Sequence, residues 1–330
     1  EKGCNNLDTT APTIDENGVV LTSTTNSITV KIAENFAKDP ESGIKEYKVT
    51  VNGETKILKE VGSLTFTGLK KETEYSVEIN VFNNKNLNNK LIKKIVTKNF
   101  DNPSITLTNT PTAAVNGYLK SQVAKITYNG TNITSPKYFV KTTREGISSL
   151  AVTAICGTGT TPSTCTNVTS TKTLTANTWY QVSGNVNVTY NKAASTTGTV
   201  YAITYDGTNY SGASTATLSK IDTTAPTVTL GTLAVKTNSI TIPITAVDNE
   251  TGINTPTCKY GTTSGSYTTN ANSVSTTGCS ITELKTNTTY YYQVCVSNKV
   301  GISTCKTGST KSSTMTNPSI TLTNTPTTAV

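Results

Sequence analysis

The phrase Asp-Thr-Thr-Ala-Pro-Thr opens at Asp8 and again at Asp222, 214 residues later. A second phrase, NPSITLTNTPT, fills Asn102–Thr112 and returns at Asn317–Thr327, 215 residues later. Two unrelated phrases with nearly one spacing define a duplicated block. The block holds two unlike modules, here called X and Y. The expected division is a linker or the end of a preceding module at 1–7, X1 at 8–100, Y at 101–221 and X2 at 222–316. Residues 317–330 would begin a further Y, as in a segment of a longer array.

Threonine dominates the composition, and its branched Cβ favours strands over helix interiors. Apolar residues alternate with period two, as in Ser27–Ala33 (SITVKIA) and Tyr75–Phe82 (YSVEINVF). Asn52–Gly53 is a strong two-residue hairpin signal. Short strands separated by turns every 8–12 residues predict an all-β chain of three tandem sandwiches with no helical domain.

Leu69–Tyr75 reads LKKETEY and Leu284–Tyr290 reads LKTNTTY. A Leu closing one strand and a Tyr opening the next resembles the tyrosine corner of fibronectin type III domains. The DTTAPT openings and the loops at Asp39–Ile44 and Asp248–Ile253 resemble the fibronectin type III repeats of bacterial surface proteins. Module Y is similar to a bacterial immunoglobulin-like domain by its pattern and its partnership with X. The resemblance implies structural roles for Tyr75 and Tyr290, and a spacer or adhesion role. Where some animal members carry Arg-Gly-Asp, the loop Asn83–Lys90 reads NNKNLNNK, so that mode of integrin binding has no support.

Seven cysteines occur and none forms a Cys-x-x-Cys pair, which argues against a zinc ribbon. Aligning X2 on X1 puts Cys258 at the place of Val49 and Cys279 at that of Leu64, both on inward strand phases. Cys295 aligns with outward Asn80, and Cys305 lies ten residues on, across the next hairpin. Cys156 and Cys165 flank the loop GTGTTPST. The pairs expected are therefore 156–165, 258–279 and 295–305, in an oxidising, extracellular setting. Cys4 is left over. X1 has no cysteine of its own, so reduction is expected to spare it.

Histidine is absent, which removes Ser-His-Asp and Cys-His nucleophiles and histidine metal sites. No phosphate-cradling glycine motif opens a helix. No enzyme and no cofactor are expected. The formal charge is +8, but residues 1–100 carry 14 basic and 13 acidic side chains, and Arg144 is the single arginine. Nucleic-acid binding, which favours arginine forks, is not expected. No apolar run is long enough to insert in a membrane. Asp8, Asp39, Glu41, Asp222, Asp248 and Glu250 gather at module junctions and loops; they are calcium candidates, with turn and capping chemistry the simpler explanation.

These observations lead to a non-catalytic, extracellular or surface segment acting as an extended stalk with an adhesive role. Its partners would be neighbouring repeats and a host or matrix protein or glycan. The rival readings are a carbohydrate- or protein-binding module, and a spacer in an extracellular glycan-degrading enzyme.

Overall fold

The computed structural model describes residues 8–145 and 149–323. The chain is all-β, with one short 3-10 turn at Glu16–Gly18 among the described residues. It divides into two compact units: one of residues 1–107, 123–189 and 198–218, the other of residues 108–122, 190–197 and 219–330.

In the first unit, Val19–Ser23, Ile28–Ile32 and Gly62–Phe66 form one sheet. Glu54–Leu58, Ile44–Val51, Glu74–Asn83 and Asn88–Val96 form its four-stranded counterpart, in that order. Alternation places Ile28, Val30, Ile32, Val49, Val51, Val77, Ile79 and Val81 in one core around Phe36 and Phe66. Fully burying each such aliphatic side chain contributes about 1.5–3 kcal/mol. The turn between Ile44–Val51 and Glu54–Leu58 has φ of 50° at Asn52 and 80° at Gly53. Positive φ at both central residues is what a type I′ hairpin requires, and Asn-Gly meets it.

The same unit holds a six-stranded sheet in the order Cys165–Lys172, Leu150–Cys156, Trp179–Val182, Lys137–Thr142, Gly198–Tyr205, Ser214–Leu218. Residues 104–107, 123–127 and 186–189 of the same unit belong to a three-stranded sheet. The Tyr128 hydroxyl donates to the Phe139 carbonyl at 2.8 Å across the interior. Trp179 is 0% exposed and donates from Nε1 to the Gly159 carbonyl at 3.0 Å. It is a core side chain.

In the second unit, Thr227–Leu230, Ile240–Val247, Gly278–Ile281 and Ser273–Ser275 pair in that order, with Ala234–Val235 also on Ile240–Val247. Thr269–Asn270, Thr257–Gly261, Thr289–Ser297 and Ser303–Lys311 make the opposing sheet. Ile240, Ile242, Ile281, Val294 and Val296 fill the space between them, with Cys258 and Cys279.

The strand Cys165–Lys172 is not announced by the sequence pattern. Its Thr, Ser and Asn side chains carry too little apolar alternation to announce a strand. It lies at the edge of its sheet, where one neighbour suffices.

Candidate functional site

Three constructions stand out: a polar knot made twice, a tyrosine corner made three times, and a hydrogen-bonded joint.

The knot centres on Asn83, which is 0% exposed at the end of Glu74–Asn83. Its Nδ2 donates toward Asp8 Oδ2 at 2.8 Å, Asp39 Oδ2 at 2.9 Å and the Thr10 carbonyl at 3.0 Å. Its Oδ1 accepts from the amides of Lys85 and Leu87. Asp8 also accepts from the Ser42 hydroxyl, and Glu41 accepts from the Thr10 hydroxyl at 2.7 Å. The second copy centres on Asn298, also 0% exposed. Its Nδ2 donates toward Asp222 Oδ2 at 2.9 Å, the Thr224 carbonyl at 3.1 Å and Asp248 Oδ2 at 3.2 Å. Thr251 takes the place of Ser42, donating to Asp222 Oδ2 at 3.0 Å.

Asp222, Asp248 and Glu250 each offer one oxygen, all within 4.8 Å of one another. The Asn298 amide donates into two of those three carboxylates, and its N–H dipoles oppose their charge. The knot thereby ties the opening phrase to the loop at 248–251 and to the far end of Thr289–Ser297. Asp caps and turns account for the rest: Asp39 accepts from the Ser42 amide at 2.8 Å and Asp248 from the Thr251 amide at 2.8 Å.

The Ser42 hydroxyl holds the Asp8 carboxyl below its ordinary value of 3.8, and the Ser42 amide does the same for Asp39. A depressed folded value means stability that is fully present above the ordinary value and is lost as the pH falls through the folded one. The melting temperature of the sandwich holding Asp8 is therefore expected to drop as pH falls below 3.8. Replacing Asp8 and Asp39 together by Asn should flatten that acid limb in a calorimetric pH series; an unchanged limb would refute the assignment.

The Tyr75 hydroxyl accepts from the Lys70 amide at 2.9 Å, and that of Tyr290 from the Lys285 amide at 2.9 Å. Tyr290 is 5% exposed. Tyr75 is half-buried and packs against the core around Phe36 and Phe66. Tyr260 packs edge-on against Tyr290, with centroids 6.0 Å apart. Val51 pairs with Val77, two residues past Tyr75, as Tyr260 pairs with Tyr292, two past Tyr290; with Val51 there, a cleft beside Asn52, Gly53 and Gly68 leaves the Tyr75 ring open on one side.

A third corner went unread in the sequence. Leu174–Tyr180 reads LTANTWY, and the Tyr180 hydroxyl accepts from the Thr175 amide at 2.9 Å. In all three segments the residue three past the Leu has positive φ: 48° at Glu72, 62° at Asn177 and 55° at Asn287. Replacing Tyr180 or Tyr290 by Phe is expected to destabilise the parent sandwich by about 1 kcal/mol, the scale of one hydrogen bond. Urea unfolding measures it, and no change would mean that the corner is packing alone.

The joint lies in the first unit. Asp206 is 3% exposed, in the turn after Gly198–Tyr205. Its Oδ1 accepts from the amides of Thr208 and Asn209. Its Oδ2 accepts from the Thr25 hydroxyl at 2.6 Å, and its carbonyl from Asn26 Nδ2 at 2.8 Å. Asn209 Nδ2 donates to the Leu69 carbonyl at 3.0 Å, and the Thr25 amide donates to the Asn132 carbonyl at 3.1 Å. Thr25 is 0% and Asn26 8% exposed.

Disulfides join Cys156 to Cys165, Cys258 to Cys279 and Cys295 to Cys305. The first and third link residues directly opposite on neighbouring strands. The second crosses between the two sheets of its sandwich. Cys4 lies outside the described residues. No helix among the described residues is long and apolar enough to cross a membrane.

No protein-family model matches the chain, and no curated protein matches it. Among solved structures, it is similar to the chicken CNTN1 FN1-FN3 domains at 15% identity, covering 90% of this chain and 97% of that one, with a TM-score of 0.27. It is similar to domains A168-A170 of titin at 14% identity, covering 92% and 99%, with a TM-score of 0.35. It is also similar to chitinase ChiA74 from Bacillus thuringiensis at 15% identity, covering 64% and 30%, with a TM-score of 0.25. The immunoglobulin-like sandwich assignment rests on the strand pairing itself.

Proposed function

We propose that this chain is a non-catalytic repeat segment of a secreted or cell-surface protein, serving as a spacer with an adhesive role. Its modules would be X1 at 8–100, Y at 101–221 and X2 at 222–316, with a further Y opening at 317. The observation that carries the reading is the joint: the Asp206 carboxylate, buried between Thr25 and the turn Thr208–Asn209, fixes two sandwiches to each other. A buried polar contact with its partners satisfied has one preferred geometry, which suits a spacer better than a loose string. Three disulfides support an oxidising setting. Trp179, fully buried, offers no platform for stacking a sugar.

A spacer must be extended in solution. Strands rise about 3.3 Å per residue, and three sandwiches in line would span about 110 Å. That corresponds to a radius of gyration slightly above about 30 Å, against about 20 Å for a compact chain of this length. Small-angle X-ray scattering separates the two, and the compact value would overturn the spacer reading in favour of a binding module.

A further inference from the structure

We infer that X2 carries a docking face for an immunoglobulin-like module with the turn Asp-Gly-Thr-Asn found at Asp206–Asn209. This deepens the spacer reading and rests on it. X1 supplies the template, where Thr25, Asn26 and the Leu69 carbonyl hold that turn. X2 repeats Thr25-Asn26-Ser27 as Thr237-Asn238-Ser239, and Leu69 as Leu284. The backbone frame is the same in both. The Leu69 amide donates to the Asn26 carbonyl at 2.9 Å, and the Leu284 amide to the Asn238 carbonyl at 3.0 Å. The Lys98 amide donates to the Thr24 carbonyl at 2.9 Å, and the Ser313 amide to the Lys236 carbonyl at 3.1 Å.

Burial is where the two faces part. Thr25 and Asn26 are covered by their partner, whereas Thr237 is half-buried and Asn238 exposed. The sequence states the occupant. NPSITLTNTPT begins 33 residues after Leu69 and 33 residues after Leu284. A module that opens at the same distance from the same frame meets the same four donors and acceptors. In that contact the Thr237 hydroxyl and the Asn238 amide group hold the Asp of the turn. The turn's Asn donates to the Leu284 carbonyl, and the Thr237 amide donates to the carbonyl equivalent to that of Asn132.

The test is amide hydrogen exchange at Thr237 in two chains: the 330-residue protein, and the same protein extended at Val330 by a copy of residues 116–221, which completes a second Y. Exchange at Thr237 is expected to slow at least about tenfold in the extended chain. Asp→Ala in the appended turn should reverse it. Thr25 is the internal reference. An unchanged Thr237 rate beside a protected Thr25 overturns the docking face and leaves the spacer reading standing; a freely exchanging Thr25 overturns both. A second variant needs no added module. Thr24→Lys, Gly68→Glu and Lys98→Ser together give X1 the corresponding residues of X2. Protection of Thr25 should then stay within about threefold of the parent, and a loss of about tenfold or more overturns the proposal whether or not the appended copy folds.

Discussion

Asn83→Ala and Asn298→Ala are each expected to destabilise their own sandwich by about 3 kcal/mol or more, with no loss of apolar burial to blame. Each side chain is fully buried and bonds on both ends. Removing Asn83 takes the donor from Asp8 and Asp39, and the acceptor from the amides of Lys85 and Leu87. The cost is that of leaving several buried groups unpaired at once, which exceeds the net worth of any single bond. Asn298→Asp is the sharper variant. It keeps the shape but sets a third carboxylate against Asp222 and Asp248, so it should destabilise at least as much as the alanine. Chemical denaturation measures both. A change below about 1 kcal/mol for either alanine would show that water replaces the amide without loss.

Breaking the Cys258–Cys279 bond is the second large effect. It closes a segment of 21 residues, and both cysteines are 2% exposed. Chain-entropy reasoning assigns such a loop about 3 kcal/mol. The double variant Cys258→Ala/Cys279→Ala should lower the melting temperature of its own sandwich alone. The sandwich around Phe36 is the built-in control, because Val49 and Leu64 stand where the cysteines stand and it has no disulfide. A calorimetric trace in which both sandwiches shift together, or neither does, would refute the assignment.

The period-two runs and the Asn52–Gly53 turn were legible because each is local: a few residues fix the backbone whatever lies beyond. Tyr75 and Tyr290 were legible for the same reason. Tyr180 has the same spacing from Leu174 as they have from theirs. It stayed hidden because Leu174–Tyr180 lies outside the two stretches that open with Asp-Thr-Thr-Ala-Pro-Thr and share the LK-x-x-T-x-Y spelling. Asn83 and Asn298 read as loop asparagines, since their role arises from carboxylates up to 76 positions away in the chain. The joint was not legible at all. Asp206-Gly207 reads as an ordinary turn, and nothing in its neighbourhood points to Thr25, 181 positions earlier.

The three disulfides also set how far this chain can lengthen when pulled from its ends. A fully extended residue spans about 3.3–3.6 Å. The Cys258–Cys279 bond closes off 21 residues, so even after its sandwich ruptures about 70 Å of contour stays withheld. The shorter Cys156–Cys165 and Cys295–Cys305 loops, closing 9 and 10 residues, each withhold about another 30 Å. Under the same pull, the sandwich around Phe36 has no such stop and pays out its whole length. In an oxidising medium the chain is therefore unevenly extensible: one sandwich yields completely, while the bonded ones yield only in part.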